Sequence, residues 1–286
     1  MNTKFLRLNT VDNLLLQGLL YSPEEKTEKV LLHIHGMGGN FYENIFVDSM
    51  AEGLTKAGYA FMSINTRGHD IVSFFPVVGS KEDYKRVGNA YEKFEECLID
   101  IKPAIDYLAE NFREIILCGH SLGSAKVAFY IAKTKDSRVQ KLILMSPPDM
   151  VSLFDDETRS GLLSEAQGLI SENKGDQFLS KMIWDWYPLS AKTYIDLSEK
   201  DNPVDIFNLY DKEKPSLLSE INIPVFAFMG ETDDAVNIPQ EEALEIIKNK
   251  AKNAPIFDIK IIEGTGHSYF NKGKEMTVEI IKWLAK

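Results

Sequence analysis

The sequence has little cysteine, no excess of positive charge and no long apolar run. Its 286 residues include only two cysteines, Cys97 and Cys118, which form neither a metal-ligand spacing nor a disulfide framework. We interpret both as reduced core residues, which predicts a cytoplasmic protein. No segment approaches the roughly 20 apolar residues that span a bilayer, and the N-terminal residues lack the apolar core of a signal peptide. We therefore expect no stable membrane insertion.

Acidic residues outnumber basic ones. The formal net charge is −11, from 43 Asp and Glu against 32 Lys and Arg. This balance argues against nucleic acid as a partner, because phosphates need a basic surface. Residues 149–222 hold fifteen acidic and seven basic residues, so this segment alone carries −8. We interpret it either as a solvated surface or as an acidic rim that disfavours anionic substrates.

Short apolar runs alternate with segments of helical periodicity along most of the chain. Two opening strands are predicted around a turn at Asp12-Asn13. Later strands are predicted in the runs 29–36 and 60–68, the second ending near Arg67, and at 115–118, 141–146, 224–230 and 256–264. Helices are predicted at 44–57, 91–112, 122–133, 239–250 and 274–285, and Gly58 is the predicted C′ residue of the first. Residues 71–90 are predicted to form a long surface loop. Alternating strands and helices predict an α/β fold, with right-handed crossovers in a parallel sheet and an antiparallel pair at the N-terminal end.

This alternation stops at Pro147-Pro148 and resumes about seventy residues later. The intervening segment is polar, acidic and mainly helical in character. We predict a core formed by residues 1–147 and 223–286, with residues 148–222 inserted over one edge of the sheet as a helical cap.

One five-residue pattern, G-H-S-L-G at 119–123, lies between a predicted strand and a predicted helix. In this context G-x-S-x-G indicates a sharp turn that projects the Ser121 hydroxyl above the sheet, since side chains at the glycine positions would collide with neighbouring backbone. The alternative is an ordinary turn between a strand and a helix. A serine hydroxyl is a weak nucleophile unless a base removes its proton, so the chemical interpretation requires a base, an acid and an oxyanion site.

Of the five histidines, His267 is the best candidate for the base. It lies in a glycine-containing loop directly after the last strand, where parallel sheets carry their functional sites. His33 is interpreted as a core residue, and His35 and His69 as residues that shape loops. His120 flanks the serine and is expected to point elsewhere.

The acid that orients the histidine is predicted in the loop after the strand at 224–230. Asp233 and Asp234 both follow that strand and precede His267, which satisfies the order Ser…Asp…His. Asp233 is favoured over Asp234 because it stands beyond the turn that follows Gly230.

Two backbone N–H groups are predicted to bind the oxyanion. One belongs to Leu122, the residue after the nucleophile, and the other to Met37 in the glycine-rich loop H-G-M-G-G at 35–39. A plain glycine turn is the alternative for that loop.

These residues together resemble the α/β-hydrolase superfamily over essentially the whole chain. The resemblance is carried by the segments 35–39, 65–69 and 119–123, by the pattern G-x-x-D-x-x-V from Gly230 to Val236, and by Gly266-His267. It implies a mostly parallel eight-stranded sheet with one antiparallel strand, flanked by helices and capped after the sixth strand. The segment N-T-R-G-H-D departs from the superfamily's D-x-R-G-H-G, with Asn65 and Asp70 as the differing residues, so a different loop shape is expected.

Within the superfamily the chain is most similar to carboxylesterases, feruloyl esterases and acylglycerol lipases, and to relatives of siderophore esterases. The expected function is a serine esterase that acts on small-molecule esters, with no metal or cofactor. Phe74, Trp184 and Trp186 are candidates for lining the substrate pocket, or belong to the core of the cap. A thioesterase, amidase or C–C hydrolase would use the same triad, and a non-catalytic ligand-binding protein of this fold is a further alternative. The sequence does not indicate an oligomeric state.

Overall fold

A mostly parallel sheet forms the centre of the protein. The computed structural model describes residues 1–79, 83–155 and 159–286. Over these residues the chain forms ten strands: β1 (Asn2–Asn9), β2 (Leu15–Ser22), β3 (Lys29–Ile34), β4 (Ala60–Asn65), β5 (Ser73–Pro76), β6 (Tyr84–Val87), β7 (Glu114–His120), β8 (Val139–Met145), β9 (Val225–Gly230) and β10 (Phe257–Ile262).

Eight of these strands form one sheet in the order β1-β2-β4-β3-β7-β8-β9-β10. β2 runs antiparallel to both of its neighbours, whereas the pairs from β4 across to β10 are all parallel. The predicted α/β fold with an eight-stranded sheet and one antiparallel strand is confirmed. The carboxyl ends of the parallel strands β3, β7, β9 and β10 therefore lie on the same side of the sheet, where the loops that follow them meet.

The described residues also form eight α-helices, which flank the sheet: α1 (Ile45–Lys56), α2 (Cys97–Ala109), α3 (Leu122–Thr134), α4 (Met150–Leu153), α5 (Arg159–Ser171), α6 (Ala191–Ser198), α7 (Gln240–Lys250) and α8 (Gly273–Leu284). Gly58, the predicted C′ residue of α1, has a φ of 84°. None of the helices in the described ranges is long and apolar enough to cross a lipid bilayer.

The central strands are buried on both faces, which explains their continuous apolar sequences. Leu32 of β3 packs into a large core together with residues of α2, α3 and the insertion. Its neighbour Leu31 points to the opposite face and packs with α1 and α8. The two cores fix the sheet between helical layers and hold the ends of its strands in place.

Two predictions for residues 71–112 were wrong in part. β5 and β6 form a hairpin within the predicted loop, and Phe75, fully buried, stacks on His69 with 4.5 Å between ring centroids. The loop residues 80–82 lie outside the described ranges. The helix predicted from residue 91 begins only at Cys97, after two 3₁₀ turns, and it continues through Pro103.

The segment between β8 and β9 contains α4, α5 and α6, and it follows the sixth strand of the main sheet. Leu162, Tyr194 and Phe207 from this segment belong to the same hydrophobic cluster as the sheet. The helices of the insertion therefore pack onto the main core. The boundaries of a separate cap at 148 and 222 remain a prediction.

Candidate active site

Ser121 occupies a strained turn between β7 and α3. Its φ and ψ are 55° and −128°, a conformation that costs a non-glycine residue about 1–3 kcal/mol. A Cβ atom on Gly119 would overlap the carbonyl oxygen of Gly123, and one on Gly123 would overlap that of Ile34. The two glycines are thus required by close backbone approach, and the turn holds Ser121 at the edge of the sheet.

The predicted oxyanion loop, residues 35–39 and called the oxyanion loop below, passes directly beside this serine. A Cβ atom on Gly36 would lie 2.8 Å from the Cβ of Ser121 and 3.3 Å from its hydroxyl oxygen. The N–H of Gly39 donates to the carbonyl of Gly36 at 3.1 Å, which closes a tight turn around Met37. Leu122 is the first residue of α3, so its N–H has no acceptor within the helix. The two N–H groups predicted for the oxyanion site therefore belong to segments that flank Ser121.

His267 follows β10 and contacts Asp233, which follows β9. The Nδ1–H of His267 donates to Oδ1 of Asp233 at 2.8 Å. The same carboxylate oxygen accepts from the N–H of Ala235 at 3.0 Å. Burial alone would raise the pKa of Asp233, but the hydrogen bond from His267 and its positive potential lower it below its usual value. The structure places Asp233 against the imidazole, whereas Asp234 is exposed.

A cavity of about 670 Å³ brings most of the predicted residues together. Ser121, His267 and Met37 line it, and Asp233 lies behind His267, 2 % exposed. Trp184 and Trp186 also line the cavity. Phe74 lies 59 % exposed on the β5–β6 hairpin, outside the described residues that line it.

The two tryptophans are presented by a tight turn in the insertion. The N–H of Trp186 donates to the carbonyl of Ile183 at 3.3 Å, and that of Tyr187 donates to the same carbonyl at 2.9 Å. Trp184 and Asp185 have φ values of 51° and 64°, an unusual pair of left-handed residues without glycine. Tyr187 lines the cavity beside the tryptophans, and its side chain lies against Gly38 of the oxyanion loop.

Some cavity residues were not predicted from the sequence. Met150 and Leu153 of α4 line the cavity. A sequence signal for them exists, since Pro147-Pro148 is followed by Asp149, whose carboxylate caps α4 by accepting from the N–H of Ser152. Two apolar residues at i and i+3 after such a cap indicate a short helix with one apolar face.

The segment that departs from the superfamily's pattern supports the oxyanion loop. Asp70 has a φ of 54°, in the left-handed region where glycine is favoured. Its carboxylate accepts hydrogen bonds from Nδ2 of Asn40 and from the Tyr42 hydroxyl, each at 2.7 Å. Asn65 accepts at Oδ1 from the N–H of Phe41 at 3.1 Å. Both departures therefore form bonds to the residues that follow the oxyanion loop.

The remaining histidines are bonded within the protein. His33, His35 and His69 are all buried. His33 contacts the Ser63 hydroxyl, and His35 contacts the Gly36 carbonyl and the Thr66 N–H. His69 contacts the Thr66 carbonyl and the Ser73 hydroxyl. Burial lowers the pKa of His33 to about 3. His120 lines the cavity, and its Nε2 contacts the backbone carbonyl of His267 at 2.8 Å.

Only one group of described residues brings three potential metal ligands within 4.8 Å of one another, namely Asp233, Asp234 and His267. Binding a metal through Nδ1 of His267 would replace its hydrogen bond to Asp233. The arrangement is better suited to orienting the imidazole than to holding an ion.

Comparison with known proteins places this geometry in a family. The model of the α/β-hydrolase fold family matches residues 29–182, more than half of the chain. The chain belongs to the α/β-hydrolase fold family. A relative, the non-heme chloroperoxidase CPO-A1 of Kitasatospora aureofaciens, is 23% identical to this chain over an alignment of 262 residues, and the match covers 83% of this chain and 84% of the relative.

Solved structures of esterases share the α/β-hydrolase fold of this chain. Est1E from Butyrivibrio proteoclasticus, with ferulic acid bound, superposes with a TM-score of 0.66 at 19% identity, covering 98% of each chain. The esterase Pf2001 of Pyrococcus furiosus superposes with a TM-score of 0.65 at 17% identity, covering 99% of this chain and 90% of the other. Identities this low establish a shared α/β-hydrolase fold, and the esterase activities are those of the two neighbours.

Proposed function

We propose that this protein is a serine hydrolase that cleaves carboxylic esters through an acyl-enzyme intermediate. The observation that carries the proposal is the 2.8 Å bond between His267 Nδ1 and Asp233 Oδ1, beside a cavity that both His267 and the strained Ser121 line. The proposed base, acid and nucleophile come from three separate loops at the same end of the sheet, which supports the arrangement that acyl transfer requires.

Each residue has a defined role in the proposed reaction. The Ser121 oxygen attacks the ester carbonyl while Nε2 of His267 takes the hydroxyl proton, and the carbonyl electron pair moves onto oxygen. The N–H groups of Met37 and Leu122 bind this oxyanion. Asp233 keeps the proton of His267 on Nδ1, which leaves Nε2 free to accept, and its negative charge stabilises the imidazolium that forms.

The intermediate then collapses and expels the alcohol. The protonated His267 donates its proton to the leaving oxygen, so the alcohol departs neutral and the acyl group stays on Ser121. Water enters, loses a proton to His267 and attacks the acyl-enzyme by the same path. The carboxylic acid leaves and Ser121 regains its proton.

The cavity wall favours an apolar or aromatic acyl group. Trp184, Trp186, Met150 and Leu153 supply an apolar surface beside the reacting residues. Most of this surface comes from the insertion, which we propose acts as a cap over the site. The ferulic acid bound to the neighbour Est1E is an aromatic acid of this type.

A serine-to-alanine substitution tests the proposal. Ser121→Ala is expected to abolish hydrolysis of p-nitrophenyl acetate and labelling by a fluorophosphonate probe, with an unchanged circular dichroism spectrum. Ser164→Ala, which removes an exposed serine on α5, is the matched control and should keep both. Full activity of Ser121→Ala would contradict the proposal. The alternatives with the same triad are separated by thioester, anilide and β-diketone substrates of equal acyl size.

A further inference from the structure

The residue before the nucleophile contacts the backbone of the proposed base. His120 ends β7, is 5 % exposed and is covalently followed by Ser121. Its Nε2 lies 2.8 Å from the carbonyl oxygen of His267, a residue 147 positions further along the chain. One side chain therefore connects the nucleophile turn to the loop that carries the base.

The acceptor fixes the protonation of His120. A carbonyl oxygen only accepts hydrogen bonds, so Nε2 of His120 carries the proton and donates it. Burial, reinforced by the positive potential of His267, lowers the pKa of His120 to about 3, which keeps the ring neutral. The neutral ring carries its single proton on Nε2, so Nε2 donates to the His267 carbonyl and Nδ1 carries no proton.

The ring of His120 is also held in place by packing. Phe46 of α1 lies 4.9 Å from it, and Tyr269 lies 6.0 Å from it, between ring centroids. The His267 ring itself is 4.9 Å away. Contacts on several sides restrict the rotamer of His120, so its N–H points in a fixed direction.

The loop that carries His267 has to cross two strands to reach Ser121. It leaves β10 at the sheet edge, while Ser121 follows β7, with β8 and β9 between them. Neighbouring strands lie about 4.8 Å apart, so the loop spans roughly 14 Å above the sheet. Its near end is held by the loop that follows β9, where the N–H of Thr232 donates to the carbonyl of Thr265 at 3.0 Å. The bond from His120 holds its far end, at the base itself.

We propose that His120 is a positioning residue that sets the location of His267 relative to Ser121 by donating a hydrogen bond to the His267 carbonyl. Asp233 fixes the imidazole by its Nδ1, and His120 fixes the backbone from which that imidazole projects. The inference rests on the proposed function, since it takes His267 as the base that serves Ser121.

A set of His120 variants tests the role. His120→Leu removes the donor, and a misplacement of about 1 Å can cost on the order of 100-fold, so we expect kcat on p-nitrophenyl acetate to fall between about 10- and 100-fold. KM should stay within about twofold, because the apolar wall formed by Trp184, Trp186, Met150 and Leu153 is unchanged. His120→Gln keeps an N–H donor and should recover most of the lost kcat. His120→Phe replaces His120→Leu if the latter does not fold, as judged by thermal unfolding.

A second measurement separates positioning from a general structural role. In a His267→Ala background there is no base to position, so adding His120→Leu should not lower the residual rate further, beyond about twofold. An equal fold-loss in both backgrounds, or equal kcat for the Gln and Leu variants, would overturn the positioning role. A wild-type protein that neither hydrolyses esters nor is labelled at Ser121 would instead contradict the proposed function itself.

Discussion

Adding a methyl group to Gly38 and removing the hydroxyl of Tyr187 are predicted to have opposite and coupled effects on stability. Tyr187 belongs to the insertion and Gly38 to the oxyanion loop, so their contact joins the proposed cap to the proposed catalytic site. A Cβ atom on Gly38 would overlap the Tyr187 hydroxyl oxygen and lie 3.1 Å from Cζ of the ring. The hydroxyl is buried and has no hydrogen-bond partner among the described residues.

The magnitudes follow from these contacts. Gly38 has a φ of 60°, which costs an L-residue about 1–2 kcal/mol. Steric overlap in a packed site adds about 1–3 kcal/mol, so Gly38→Ala should lower the free energy of unfolding by roughly 2–5 kcal/mol. Tyr187→Phe removes an unpartnered buried hydroxyl and should raise the free energy of unfolding by about 1 kcal/mol. In the double variant the overlap with oxygen is gone, so the cost of Gly38→Ala should shrink by about 1–2 kcal/mol.

Urea unfolding of the four proteins, followed by tryptophan fluorescence and circular dichroism, measures this coupling. Gly58→Ala is the matched control, because Gly58 has a φ of 84° and nothing within 4 Å of an added Cβ. Its cost should be the same with Tyr187 and with Tyr187→Phe. If Gly38→Ala costs the same in both backgrounds, the contact between the insertion and the oxyanion loop is not as the structure shows it.

Three further predictions concern the acid, the pocket and the response to pH. Asp233→Asn should lower kcat by about 10⁴-fold, because the imidazole loses its orientation and the stabilisation of its charge; retention of a tenth of the rate would contradict the assigned role. Trp186→Ala should lower kcat/KM for p-nitrophenyl esters of aromatic acids about 10-fold, since the cavity loses apolar surface, and leave that for p-nitrophenyl acetate within about twofold; equal losses on both would refute this. Buried His33 and His120 have pKa values of about 3 in the folded protein, below the value of about 6.5 in an unfolded chain. The free energy of unfolding should therefore be highest above about pH 6.5 and should fall as the pH drops towards 3, because the unfolded chain binds protons that the folded protein does not. At about pH 5 each histidine should lower the free energy of unfolding by roughly 2 kcal/mol. A urea midpoint that does not change between pH 7 and pH 5 would contradict this prediction.

The sequence predicts the main sheet and most loops of the candidate active site because their physical requirements are local. β3, β7 and β9 are continuous apolar runs, and the glycine at position 119 is required by a backbone approach to Gly123, only four residues away. The order of Ser121, Asp233 and His267 along the chain follows from the order of the strands they terminate. The structure adds that Asp233 contacts His267, whereas Asp234 is exposed.

The contacts that depend on distant parts of the chain were not predictable. The β5–β6 hairpin was missed because its strands have only four residues each, too few to show alternation. The bond from His120 to His267 joins residues 147 positions apart, and its geometry depends on how one loop crosses two strands. The left-handed turn at Trp184 and Asp185 lacks the glycine or asparagine that normally indicates such a turn.

The most direct test of the account is to trap the acyl group on the protein. The protein is mixed with p-nitrophenyl acetate, quenched in acid within the first turnover and digested for peptide mass spectrometry. The account predicts one acetyl group on the peptide that contains Ser121, and its absence in Ser121→Ala. Turnover with no acetylated peptide, or with the acetyl group on another residue, would contradict the proposal that Ser121 is the nucleophile.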